Sequence, residues 1–196
     1  TYSEDFTENF VSTGVVLTEN YATAPDGSST ATRFIDDGVG SGASLMIYDV
    51  VTVDTSSDYT FSVFVKKDQL DWVKLYIQDA TTPSDGGVWF DLTNGALGTE
   101  DTGITGKIVS ISSDWYRCSI TFTTDSSDTS LQFRIYLSDG NDDIVVDQDG
   151  TSSILIWGVQ YEKLSYATSY IPTSGTTVTR DAETLDGSGN DTLINS

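Results

Sequence analysis

The chain has 196 residues, 37% of them hydrophobic and 11% aromatic, and a formal net charge of −21 from 9 Lys+Arg against 30 Asp+Glu. That length carries one sizeable core, and the composition is not that of a disordered segment. The charge argues against nucleic acid and anionic membrane surfaces, no apolar run reaches the ~18 residues of a membrane span, and the absence of histidine removes the commonest general base and His-ligated zinc.

In chain order, the opening TYSEDF is abrupt and unlike a charged-then-apolar leader; with the polar close DGSGNDTLINS it reads as a piece of a longer protein. Between them the sequence alternates with a period of two. Strands are expected over 15–20, 30–36, 44–53, 59–67, 72–78, 88–92, 106–111, 115–122, 130–137 and 153–161. The clusters that separate them (APDGSS, DDGVGSG, TPSDGG, TNGALG, TTDSSD, SDGNDD, DQDGTS) carry the Gly, Asn and Asp that turns require, and the acids scattered through them read as a solvated surface. About ten short strands with no helical periodicity point to an antiparallel sandwich or barrel. Cys118, the one cysteine, cannot form an intramolecular disulfide and reads as a buried, inert thiol. Trp115 opens a strand after a turn, and Trp157 alternates with Leu155 and Val159; both read as packing residues. Residues 1–171 are expected to form the sandwich, and the Thr/Ser/Gly-rich 172–196 a tail or linker.

Three of these strands have two unequal faces. In 72–78, Val73, Leu75 and Ile77 alternate with Trp72, Lys74, Tyr76 and Gln78; in 130–137, Leu131, Phe133, Ile135 and Leu137 alternate with Gln132, Arg134 and Tyr136; in 88–92, Val88, Phe90 and Leu92 alternate with Trp89 and Asp91. If the strands share a sheet, Trp72, Lys74, Tyr76, Gln78, Trp89, Asp91, Gln132, Arg134 and Tyr136 form one outward surface. Aromatic rings offer flat area to the C–H face of a pyranose, and the polar side chains between them match its hydroxyls. The plainer reading is cross-strand pairing on a solvated sheet, at roughly 0.2–1 kcal/mol per pair. A calcium ion is a further candidate in DGNDD, where Asp139, Asn141 and Asp143 give D-x-N-x-D; Ile144 stands where an EF-hand has glycine, and Gly150 where it has glutamate.

The phrases TYSEDF, TAPDGSSTATRF, YTFSVFVKK, VWFDLTNGALGT, WYRCSITF and, most specifically, IWGVQYEKLSYATSYIPTSGTTVTR run in this order over nearly the whole chain. They resemble a domain recurrent in tailed-phage fibre and virion proteins and in some bacterial polysaccharide-degrading enzymes. The resemblance implies an all-β fold, an antiparallel two-sheet β-sandwich of the jelly-roll type like that of carbohydrate-binding modules. It implies glycan binding or a structural fibre role, without catalysis, at an extracellular or virion surface, with homo-oligomers formed through the parent protein. Similar modules hold a structural calcium near the chain start; Glu4 and Asp5 stand there, but the last strand offers Gln160 and Glu162 and no Asp.

Three functions stay open: a binding module for poly- or oligosaccharide, a structural domain whose aromatic face meets another protein, and an enzyme. A glycosidase needs two carboxylates about 5–5.5 or 6.5–9.5 Å apart. Only Asp91 falls on the aromatic face, and a lyase would have to rest on Tyr76 with Lys74, so the expectation is a non-enzyme.

Overall fold

The computed structural model describes residues 3–40, 43–176 and 178. A one-turn helix, α1 (Phe6–Asn9), is followed by β1 (Val11–Thr13), β2 (Val15–Ala22), β3 (Ala31–Asp36), β4 (Ala43–Ser44) and β5 (Met46–Thr52). Then come β6 (Asp58–Lys67), β7 (Trp72–Gln78), β8 (Gly86–Asp91), β9 (Ala96–Glu100) and β10 (Thr105–Ser110). The last strands are β11 (Trp115–Thr123), β12 (Ser130–Ser138), β13 (Val145–Val146) and β14 (Ser153–Glu162). No helix among the described residues is long and apolar enough to cross a membrane.

The strands form two antiparallel sheets of six, in the orders β1-β5-β12-β7-β8-β9 and β10-β11-β6-β14-β3-β2, with β13 and β4 paired apart. Each of the ten expected strands is present. The additions β1, β4, β9 and β13 are two to five residues long, too short for alternation to be seen. Helix α1 is likewise one turn, made by Asp5, whose carboxylate accepts from the Thr7 and Glu8 amides.

The strict alternation of β7 and β12 puts Val73, Leu75, Ile77, Leu131, Phe133 and Ile135 between the sheets with no exposed surface. They meet Phe34, Phe61, Val63, Val65 and Ile120 of the second sheet. Each such side chain contributes roughly 1.5–3 kcal/mol of burial. Phe133 is ringed by Phe61, Phe122 and Tyr161 with centroids 4.9–6.0 Å away. Cys118 lies fully buried in this core, and burial pushes its thiol pKa up, as an inert thiol requires.

A second, smaller cluster lies on the outside of the second sheet, where Trp115 and Trp157 join Phe64, Leu155, Ala24 and Ala31 under Tyr170. Trp157 does not share a face with Val159, as plain alternation predicts. Gly158, at φ +63°, breaks the register between Trp157 and Gln160, so Leu155 and Trp157 turn outward and Val159 returns to the main core. The bulge frees the Val159 amide, which donates to the Ser3 carbonyl at 2.8 Å; Ser3 in turn donates its amide to the Thr173 carbonyl at 3.1 Å. Docked chain therefore continues to Thr173, past the expected boundary at 171. Residues 177 and 179–196 of the expected tail lie outside the described residues.

Candidate functional site: a polar-aromatic face on the first sheet

The strand register decides which side chains share a surface. Arg134 lies opposite Tyr76 on one side and Tyr48 on the other; Tyr136 lies opposite Lys74, and Gln132 opposite Gln78. Lys74 then faces Trp89, and Trp72 faces Asp91. Side chains opposite one another in adjacent strands point the same way. All nine residues expected on the face are thus on the outer side of one sheet, and their neighbours in sequence fill the core.

The face is not uniform. At the β8 end Lys74, Trp89 and Tyr136 are buried, at 6%, 7% and 6% exposure, so these three do not form the open platform that alternation alone suggests. Lys74 Nζ stands 3.5 Å from the centre of the Trp89 ring, 4.6 Å from that of Tyr76 and 3.8 Å from Asp101 Oδ2. Burial lowers the Lys74 pKa to about 8, and the charges of Asp101 and Asp142 only partly oppose it. The ammonium therefore occupies the Trp89 ring face that a sugar would need.

Residues 139–143 tie this end down. Asn141 Oδ1 accepts from the Thr99 amide at 2.7 Å, and its Nδ2 donates to Thr99 Oγ1 at 3.0 Å. Thr99 Oγ1 donates to Asp142 at 2.8 Å. Gly98 makes the approach possible: a Cβ there would lie 2.2 Å from Asn141 Oδ1 and 2.8 Å from the Trp72 ring.

This hydrogen bonding bears directly on calcium at Asp139, Asn141 and Asp143. Asn141 Oδ1 is used on β9, and Asp143 Oδ1 accepts from the Val145 amide at 2.9 Å. Among the described residues no group of three or more His, Cys, Asp or Glu could hold a metal ion. Two of the three expected donors, Asn141 and Asp143, thus already have backbone partners. At the chain start, Asp5 caps α1, Glu4 accepts from the Tyr170 hydroxyl, and Glu162 accepts from the Thr168 amide, so these acids too have protein partners.

Asp91 also has a different task from the expected one. Its Oδ1 accepts from the Thr93 and Asn94 amides, each at 2.9 Å, and its Oδ2 accepts from Asn94 Nδ2 at 2.7 Å. It closes the β8–β9 turn.

The other end of the face is open. Tyr76, Gln78, Gln132 and Arg134 are half-exposed there, joined by Tyr48 of β5. Arg134 Nη1 donates to the Tyr136 hydroxyl at 2.8 Å, and its Nε and Nη2 donate to Gln132 Oε1 at 3.2 and 2.6 Å. Gln132 Nε2 donates to Asp79 at 2.6 Å. The guanidinium carbon lies 5.4 Å from the Tyr48 ring centre, and Tyr76 meets Tyr136 edge to face at 5.7 Å. The result is a rigid strip of rings interleaved with oriented donors and acceptors. Tyr48 is missing from the sequence reading. The alternation of 44–53 marks it as outward-facing, but only the pairing of β5 with β12 brings it to Arg134.

No protein-family model matches the chain, and no curated protein does. Among solved structures the fold is similar to the enzymatically active domain of tailspike protein 4 of bacteriophage CBA120, at 10% identity and a TM-score of 0.50. The match covers 82% of this chain and 20% of that one, so the chain spans about a fifth of the tailspike's length. It shows the same two-sheet sandwich. Weaker likenesses are to the CBM22-1 and GH10 modules of xylanase 10B from Clostridium thermocellum in complex with xylohexaose (15% identity, 85% of this chain and 28% of that one, TM-score 0.47) and to the CBM22-1 xylan-binding domain of Xyn10C from Paenibacillus barcinonensis (12%, 85% and 94%, TM-score 0.46). The strand orders, with the likeness to the tailspike domain, make the expected jelly-roll sandwich the fold found.

Proposed function

We propose that the chain is a non-catalytic carbohydrate-binding module, and that the open strip of the first sheet is its ligand surface. The observation that carries this reading is Arg134, held by Gln132 and Tyr136 between Tyr48 and Tyr76. Rings for a pyranose face and fixed hydrogen-bonding groups for its hydroxyls stand within one shallow surface. Lys74 and Tyr136, on the same outer face, close the strip on the side toward Trp89 and Trp72. The acids around it are engaged: Asp79 by Gln132, Asp91 by its turn, Asp101 by the Gly87 amide and Lys74, Asp142 by Thr99. That supports binding without turnover. The parent is a phage fibre or virion protein or a secreted polysaccharide-active protein, at a virion or extracellular surface, with oligomerisation left to that parent.

Affinity electrophoresis in gels containing neutral polysaccharides tests the reading. Tyr76→Ala and Tyr48→Ala are each expected to weaken retardation about tenfold, close to 1.4 kcal/mol. Full retention in both variants removes the strip as the site. A second reading has its own observation. Val11 and Val50, 51% and 57% exposed, extend the same face through pairing with Tyr48 and Gln132. A protein partner seated there would favour Val50→Asp as the disruptive change and leave polysaccharide gels without effect.

A further inference from the structure

Among the described residues, Arg33, Lys66, Lys67, Lys74 and Lys163 form ion pairs with Asp68, Asp114, Asp71, Asp101 and Asp54. Lys107, Arg117 and Arg134 do not. Arg134 belongs to the strip on the first sheet. Lys107 and Arg117 line a different place, a groove of about 560 Å³ on the outside of the second sheet, bounded by residues 165–167. In a chain with 30 acids and 9 basic residues, no Asp or Glu among the described residues lines this groove; the acid that acts on it is Glu162, which lies behind Thr168 and favours the charged form of Arg117.

The register explains the concentration of charge. Lys107 lies opposite Ser119 and Val109 opposite Arg117, so the two cations are diagonal neighbours. Their backbones lie roughly 7–8 Å apart, within reach of one anion. Arg117 is fixed from below: Nη1 donates to the Thr168 carbonyl and Nη2 to Ser62 Oγ, while its Nε–H is buried without a partner. Ser119, in the same outward row, is buried and donates its hydroxyl to the Lys107 carbonyl; Thr121 donates to Thr60 Oγ1 at 2.9 Å and keeps a lone pair toward the groove, and Tyr166, 60% exposed, supplies a ring at the rim.

We propose that this groove is a second ligand site, which takes a pyranose bearing a carboxylate, that is, a uronic acid unit. Lys107 and Arg117 receive the carboxylate, Thr121 Oγ1 accepts from a sugar hydroxyl, and Tyr166 covers the C–H face. The site stands independently of the strip, because it lies on the other sheet.

Calorimetric titration of the full chain with a galacturonic acid trimer, the neutral galactose trimer and sodium sulfate is the test. The acidic trimer is expected to bind, to weaken at least about tenfold in Lys107→Glu and in Tyr166→Ala, to weaken as salt rises, and to be unaffected by Tyr76→Ala. Lys107 and Tyr166 are exposed, so both variants keep the wild-type melting temperature. No binding of the acidic trimer overturns the proposal, as does equal binding of the neutral one or an undiminished affinity in Lys107→Glu. Sulfate binding as tightly as the trimer reduces the groove to a general oxyanion site and overturns the sugar assignment.

Discussion

At the scale of single residues, Lys74 has the most consequences. Its pKa, lowered to about 8 by burial, lies below its value in the unfolded chain. The unfolded state therefore binds more protons between about pH 8 and the ordinary lysine pKa near 10.4, and stability rises with pH across that window. Lys74→Met abolishes that rise, which denaturant melts at pH 7.5 and 10 would reveal. Loss of the cation over Trp89 also gives the wild type a tryptophan fluorescence titration near pH 8 that Lys74→Met lacks. The outward parity of Lys74 was legible in WVKLYIQ, because alternating burial is a local property. Its burial was not, because Asp101 and Asn141 reach that end of the sheet from outside the strand. Asp91 illustrates the same limit: its parity is right, but its carboxylate serves the turn at residues 93–94.

Among the elements, the 138–145 segment and β9 act as one unit. Neither shows in the alternation, since β9 has five residues and residues 139–143 form a turn, yet together they close one end of the face. Gly98→Val drives a side chain into Asn141 and Trp72 and is expected to cost about 1–3 kcal/mol, measured as a fall in the urea midpoint. Asn141→Ala leaves the Thr99 amide without its acceptor and costs about 1 kcal/mol. Because hydrogen bonds hold this segment, calcium or a chelator is expected to leave the melting temperature unchanged; a calcium-dependent rise would show an ion bound to the native state. The β14 bulge shows why alternation can mislead within a correctly placed strand. One glycine at positive φ separates Trp157 from Val159, and no count of apolar residues reports a register break.

For the whole molecule, the two outer surfaces differ in what covers them. The second sheet spends much of its outer side on the chain's own Trp115, Trp157 and Tyr170, leaving the groove at β10 and β11; the first keeps its strip open. Tyr170 is the clamp: its ring lies 4.5 Å from Trp157 and 5.7 Å from Phe64, and its hydroxyl meets Ser3 Oγ at 2.7 Å. Tyr170→Ala is expected to cost about 2 kcal/mol, somewhat less than truncation of a fully buried aromatic, and to expose the tryptophans to quenchers. The meeting of Ser3 with Thr173 and Val159 also fixes how the sandwich bears mechanical load. Tension applied at residues 3 and 173 acts directly across the Ser3–Thr173 hydrogen bonds, so force spectroscopy with handles at these two positions is expected to break those contacts before the central strands. Flanking segments attached there would leave side by side, and the folded body would hang from them like a pendant on a loop of thread.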